Sequence, residues 1–313
     1  LKKGAQMQKI GWRGVFPAAT TQFAEDRSID FEATKRVVDN LVRDGVHGII
    51  AMGTVGENNS LRAEEKREVL VAIVEVVAGR VPVITGVSEL TTELAADYAK
   101  AAEQIGADGL MLLPAMVYVP SEAELEEHVR RVAAATRLPI MLYNNPPAYR
   151  VSISIETLRR LSDVPNLAAI KESAPDPRRI TDIINACGER YTVFAGLDDV
   201  ALEELLLGAE GWVSGLTNAF PQESIALWDA FEAGDLARAR EIYRWFMPLL
   251  HLDAEHDLVQ SIKLAEAVMG RGSERVRMPR MELTGERRAQ VVKMVEDARD
   301  TRPVIQRDAI PAQ

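Results

Sequence analysis

The stretch VPVITGVSELTTELAADYAKAAEQIGADGLMLL, from Val81 to Leu113, decides the fold. It opens on an apolar, β-branched run (Val81–Thr85), continues as Thr91–Ile105 with apolar residues at i, i+3 and i+4, and closes on a second apolar run (Gly109–Leu113). That is one strand, one amphipathic helix and one further strand, with Gly106 as the helix stop. Antiparallel strands need only a tight turn between them, whereas a helical crossover of this length joins parallel ones. On both sides of this stretch the same unit recurs every ~25–35 residues, the spacing of an α/β barrel. Strands are read near Gly14–Ala18, Gly48–Met52, Ile140–Tyr143, Ala168–Lys171, Thr192–Ala195 and Trp212–Ser214, which with the first two makes eight. Helices are read at Phe31–Asp44, Ala63–Ala78, Glu122–Thr136 and Arg178–Ala186; Ser121 with Glu124 forms a capping box at the start of the third. Beyond the eighth strand only helical patterns remain, at Pro221–Ala233, Leu236–Leu250, Leu258–Met269 and Gly285–Arg299. The expected fold is an α/β (β/α)8 TIM barrel over 12–233 with a C-terminal helical extension over 234–300 in the same structural unit. Segments 1–11 and 301–313 are read as tails.

Composition narrows the function classes. The chain has 313 residues, 47% of them hydrophobic and 27% charged, with a formal net charge of −10, which suits a soluble protein with a large core and disfavours nucleic acid or an acidic membrane as partner. The opening LKKGAQMQKIGW lacks the apolar core of a secretion signal, and no run approaches the ~20 apolar residues of a membrane span, so the protein reads as cytoplasmic. A single cysteine, Cys187, forms no internal disulfide, and His251 and His256 have no third ligand beside them, so no metal is expected.

In such a barrel, chemistry sits at the carboxyl ends of the strands. Lys171 follows Leu167-Ala168-Ala169-Ile170, so its amine would stand at the mouth of an apolar barrel, where desolvation favours the neutral, nucleophilic form. It reads equally as a strand-end lysine reaching for solvent. Gly53-Thr54-Val55-Gly56-Glu57 follows the second strand; its turn can present N–H donors, with the Thr54 hydroxyl, to a carboxylate, or be a turn and nothing more. Glu57 fits a loop brace better than a reactant. Tyr143, in Tyr143-Asn144-Asn145-Pro146-Pro147, could relay protons near an iminium, which would lower its pKa, or be an ordinary barrel aromatic. The coincidence of Lys171 and Tyr143 on neighbouring strands favours the functional reading.

These three segments, in this order and spacing, resemble the dihydrodipicolinate synthase and N-acetylneuraminate lyase family of class I Schiff-base lyases, over roughly Trp12 to Arg299. The resemblance implies Lys171 as the Schiff-base lysine, Tyr143 as the proton-relaying tyrosine, and Thr54 with Val55 as the carboxylate-binding pair. It also implies a homotetramer built as a dimer of dimers, with no metal or organic cofactor. Departures are visible. Ala148 stands where the synthase has an arginine for its amino-acid aldehyde, Val55 removes a hydroxyl from the relay, and Gly215 replaces a sugar-binding serine of the sialic-acid lyases. Pro114-Ala115-Met116-Val117-Tyr118 is longer and more apolar than the family's paired-tyrosine segment. Asn145, Tyr118, Asp198 and Gly215 are the further candidates for the pocket.

The stretches GTVGEN, YNNPPAYR, FAGLDD, GWVSGLTNAFP and WFMPLLHLD are most similar to the branch that deaminates 1-pyrroline-4-hydroxy-2-carboxylate in hydroxyproline breakdown. That resemblance implies a small 2-oxo-acid or cyclic imino-acid substrate and the products 2-oxoglutarate semialdehyde and ammonia. The alternatives are a 2-keto-3-deoxy sugar acid dehydratase, a pyruvate-releasing aldolase, a synthase-like condensation, or a barrel that binds a 2-oxo acid without turnover.

Overall fold

A computed structural model describes residues 10–114 and 118–305. Ala115, Met116 and Val117 of the apolar segment, and residues 1–9 and 306–313 of the expected tails, lie outside the described residues. Eight parallel strands run in order around a sheet: β1 (Gly14–Pro17), β2 (Ile49–Ala51), β3 (Val83–Val87), β4 (Gly109–Leu112), β5 (Ile140–Asn144), β6 (Leu167–Glu172), β7 (Thr192–Ala195) and β8 (Gly211–Ser214). β1 pairs with β8, and a parallel bridge from Ala18 to Ile50 closes the ring between β1 and β2. The (β/α)8 TIM barrel with C-terminal helices is therefore observed.

The helices are α1 (Phe31–Asp44), α2 (Ala63–Val77), α3 (Thr92–Ile105), α4 (Glu122–Ala134), α5 (Pro146–Tyr149), α6 (Ile155–Arg160), α7 (Arg178–Cys187), α8 (Ala201–Leu206), α9 (Pro221–Glu232), α10 (Leu236–Ala254), α11 (Leu258–Val268) and α12 (Gly285–Asp300). Local chemistry sets their ends. The Asp30 carboxylate accepts from the Ala33 N–H at 2.8 Å to start α1. Gly45 at φ 97° ends it in the left-handed region that only glycine enters cheaply. Ser121 and Glu124 make both halves of the capping box of α4.

Two differences from the sequence reading concern the strand ends nearest the site. β5 and β6 each run one residue further, to Asn144 and Glu172, because these polar residues satisfy each other: Asn144 Nδ2 donates to Glu172 Oε1 at 2.6 Å while the ladder pairs Tyr143 with Lys171. Helices α5, α6 and α8 were not expected; at four to six residues they are too short for an apolar period to register.

The barrel interior is a packed plug. Each strand contributes at least one side chain to it, among them Phe16, Ile50, Ile84, Met111, Met141, Ala169, Phe194 and Val213, with Phe16 and Phe194 edge to face at 5.2 Å. Such a plug admits no water column from below, so any group at its upper surface meets a low-dielectric floor. The C-terminal helices share a second apolar cluster with α8, α9 and Trp212 of β8, through Phe246, Leu249, Leu264 and Val291. Among the described residues no helix is long and apolar enough to cross a membrane.

Candidate active site

At the carboxyl ends of the strands a small, tight cavity is lined by Gly53, Thr54, Val55, Met111, Tyr143, Asn145, Ala148, Lys171, Gly215 and Asp253 among others. A wider groove across the outer faces of α1, α2 and α3 is lined by Phe31, Lys35, Arg67 and Ile105 and lies away from the strand ends. The first cavity is where the chemistry converges.

Lys171 is 6% exposed, and its Nζ stands 4.2 Å from the centre of the Tyr143 ring on the adjacent strand. Burial pulls the amine below its ordinary value, against Asp253, Tyr149, Asp198 and Glu204, whose charges act to raise it. The acids are thus nearer than the sequence neighbourhood of Lys171 implied, yet desolvation is the larger influence. Below its folded pKa the amine is protonated and inert as a nucleophile; above it, it is neutral and attacks. Adduct formation with a 2-oxo acid is accordingly expected to rise with pH and to level off below the ordinary lysine value of 10.5. A trapping rate still climbing through that pH would contradict it.

Tyr143 is buried, and its hydroxyl oxygen accepts a hydrogen bond from Asn145 Nδ2 at 2.8 Å. Asn145 is itself fixed, since its Oδ1 accepts from the Ala148 N–H at the start of α5. The expected lowering of the phenol belongs to the state with an iminium beside it. Burial pushes Tyr143 up to about 12, so the phenol is protonated before any iminium forms beside it.

The loop after β2 is folded tightly. A Cβ at Gly56 would lie 2.9 Å from the Ala19 carbonyl oxygen and from the Met52 backbone, so only glycine permits this approach. Among the described residues the N–H groups of Thr54 and Val55 have no backbone acceptor, which leaves them available to an anion. The Thr54 hydroxyl is hydrogen-bonded to the hydroxyl of Tyr149, whose ring packs edge-on against Tyr143 at 5.7 Å. Glu57 holds a left-handed backbone at φ 55°. Its fully buried carboxylate accepts from Lys263 Nζ at 2.9 Å and from the Arg277 N–H at 3.0 Å, so it braces the loop from behind.

Gly215 lines the cavity, and a Cβ there would come within 2.2 Å of Asp253 Oδ1. One other candidate needs correction. Asp198 is buried behind the wall, where its carboxylate accepts from Trp212 Nε1 at 2.9 Å, Ser214 Oγ at 3.1 Å and the Leu216 N–H at 2.9 Å. It pins the end of β8, because a buried carboxylate takes every donor within reach. Tyr118 stands outside the cavity of its own chain. It is 58% exposed, and its hydroxyl donates to Glu124 Oε1 at 2.9 Å. Asp253 and Tyr149 are site residues that the sequence reading missed. Asp253 did carry a signal, as it continues the buried face Phe246, Leu249, Leu250 of α10 and so places an acid where the pattern calls for an apolar side chain.

The pattern of the dihydrodipicolinate synthetase family matches residues 11–298. The chain belongs to that family. It is a Schiff-base lyase of this class, as its relatives are enzymes. The 4-hydroxy-tetrahydrodipicolinate synthase of Sorangium cellulosum is 34% identical over 94% of this chain and 99% of its own. That of Thermodesulfovibrio yellowstonii is 31% identical over 92% and 98%. Among solved structures, dihydrodipicolinate synthase from Aquifex aeolicus superposes with a TM-score of 0.88 at 31% identity, covering 92% of this chain and 98% of that one. YagE, a prophage protein of the same family from E. coli K12 solved with pyruvate, gives 0.88 at 28% identity, over 93% and 99%.

Proposed function

We propose that this member of the family deaminates 1-pyrroline-4-hydroxy-2-carboxylate, releasing 2-oxoglutarate semialdehyde and ammonia, a step of hydroxyproline breakdown. The observation that carries the reading is the cavity itself: a buried Lys171, its amine pulled below the ordinary value by burial, faces a small space whose wall at Val55, Ala148 and Gly215 offers neither a cation for an amino-acid aldehyde nor a hydroxyl for a polyol. A short imino acid with one carboxylate matches it.

In this scheme the carboxylate rests on the Thr54–Val55 loop. Lys171 adds to C2 of the cyclic imine and expels the ring nitrogen, giving an open-chain Schiff base with a free terminal amine. Tyr143 hands protons on and off as this exchange proceeds, and as phenolate, stabilised by the adjacent iminium, it accepts the proton from C3 to give an enamine. The enamine drives out the 4-hydroxyl as water, the remaining double bond shifts to the terminal carbon as an imine, and two hydrolyses release ammonia and free Lys171. With one water consumed overall, the atoms balance.

Ammonia release on incubation with the hydroxy-pyrroline tests the reading, and inertness toward it together with turnover of a 2-keto-3-deoxy sugar acid refutes it. The names of the relatives favour a second reading, condensation of a 2-oxo acid with an amino-acid aldehyde; it releases no ammonia, and Ala148 speaks against it. A dimer of dimers is the assembly we expect, supported by exposed Leu90, Leu94, Tyr118 and Val119 beside the barrel mouth. Tyr143→Phe is expected to cut kcat by on the order of 10²-fold, the loss of one proton-moving group, while borohydride still traps the slower-forming adduct. Unchanged kcat would remove Tyr143 from the relay.

A further inference from the structure

One carboxyl in the cavity takes no part in the steps above. Asp253 lies in the last turn of α10, 9% exposed, on a face otherwise made of Phe246, Leu249 and Leu250. A carboxyl in such a place is costly unless something uses it. The structure also makes room for it, since Gly215 lacks the Cβ that would meet Asp253 Oδ1 at 2.2 Å. Asp198 has its oxygens taken up by three donors within the wall, whereas Asp253, which accepts from the Asp198 N–H, also borders the same open space as Lys171.

Its position relative to the other groups is specific. Tyr143 stands on β5, directly beside Lys171 on β6, whereas Asp253 approaches Gly215 at the end of β8, two strands along in the other direction. A short substrate joined to Lys171 through C2, with its carboxylate on the Thr54 loop, has C3 within the province of Tyr143 and still needs a proton donor for the oxygen on C4. Hydroxide is a poor leaving group, and general acid help at that oxygen is what the elimination lacks.

We propose that Asp253 is the catalytic acid that protonates the departing 4-hydroxyl, an inference that rests on the deaminase reading above. The enamine nitrogen lone pair re-forms the C2=N bond, the C2=C3 pair moves to C3=C4, and the C4–O bond breaks. The oxygen takes the Asp253 proton and leaves as water. No electrons are gained or lost, and the carboxylate regains a proton from solvent before the next turnover. Burial pushes the Asp253 carboxyl up to about 6 against the pull of Lys171, so a protonated fraction persists toward neutrality.

The test compares wild type with Asp253→Asn on the hydroxy-pyrroline and on its 4-fluoro analogue, whose fluoride departs with far less need of a proton donor. We expect the variant to lose on the order of 10²-fold in kcat with the hydroxy substrate. With the fluoro analogue, and in borohydride trapping of pyruvate, it should fall by no more than about threefold, because Lys171 is retained and losing the Asp253 charge, which acts to raise the amine, only favours its neutral, attacking form. Equal losses on both substrates would reduce Asp253 to a positioning or packing role, and an unimpaired variant would remove it from the reaction; either overturns the assignment. A wild-type protein inert toward both substrates sinks the deaminase reading and this inference with it, whereas an active wild type with an active variant sinks only the inference.

Discussion

Alanine at position 171 is expected to lower turnover by on the order of 10⁴-fold or more, as removal of a covalent nucleophile does, while leaving the fold intact. Both halves follow from the same surroundings. The amine sits on the apolar plug, and desolvation is the main influence on it. Deleting the side chain therefore removes a group the interior does not favour in its charged form and leaves no buried carboxylate in direct ion pairing with it unmatched. Thermal denaturation should place the variant close to wild type. Lys171→Arg should be equally inactive, because a guanidinium does not give up its proton in a protein. Turnover retained by either variant would leave the lysine without a role.

Lys263→Met is expected to have the largest effect on stability, about 3–5 kcal/mol, the usual cost of breaking a buried ion pair by deleting one partner. Lys263 and Glu57 are both fully buried at 2.9 Å, and the ammonium also donates to the Thr21 carbonyl at 2.8 Å and lies over the Phe23 ring at 4.5 Å. Methionine fills the volume but leaves the buried Glu57 carboxylate without its cation, in a residue whose left-handed backbone sets the end of the Thr54 loop. KM should therefore rise along with the loss of stability. Adding Glu57→Gln should recover part of it, since the amide oxygen can still accept from the Arg277 N–H without carrying a charge. Denaturant titration of the two variants checks this, and a loss below about 1 kcal/mol in the single variant would show that the pair is not the brace the geometry describes.

The barrel was legible because its signals are long and repeated. α1 has the bounds its pattern predicts, and the eight strands appear within a residue or two of where β-branched runs place them. Lys171, Tyr143 and the Thr54–Val55 loop also meet at one cavity, as strand-end positions in sequence order require. What escaped has physical causes. α5, α6 and α8 are too short to show a period. Asp198 is a pocket candidate from the sequence, but the indole of Trp212, the hydroxyl of Ser214 and a backbone N–H fold over it, and such long-range donors leave no local trace. Asp253 was visible only as an interruption of an apolar face in a helix read as packing. Gly215 was read as a missing serine, although its meaning is the space it gives to an acid 38 residues further along the chain.

The most direct test of the Schiff-base claim is to incubate the protein with pyruvate or the hydroxy-pyrroline, reduce with borohydride, digest, and locate the mass increment. A single modified peptide is expected, the one containing Lys171. An increment on another lysine, or none at all under conditions in which substrate is consumed, would contradict it.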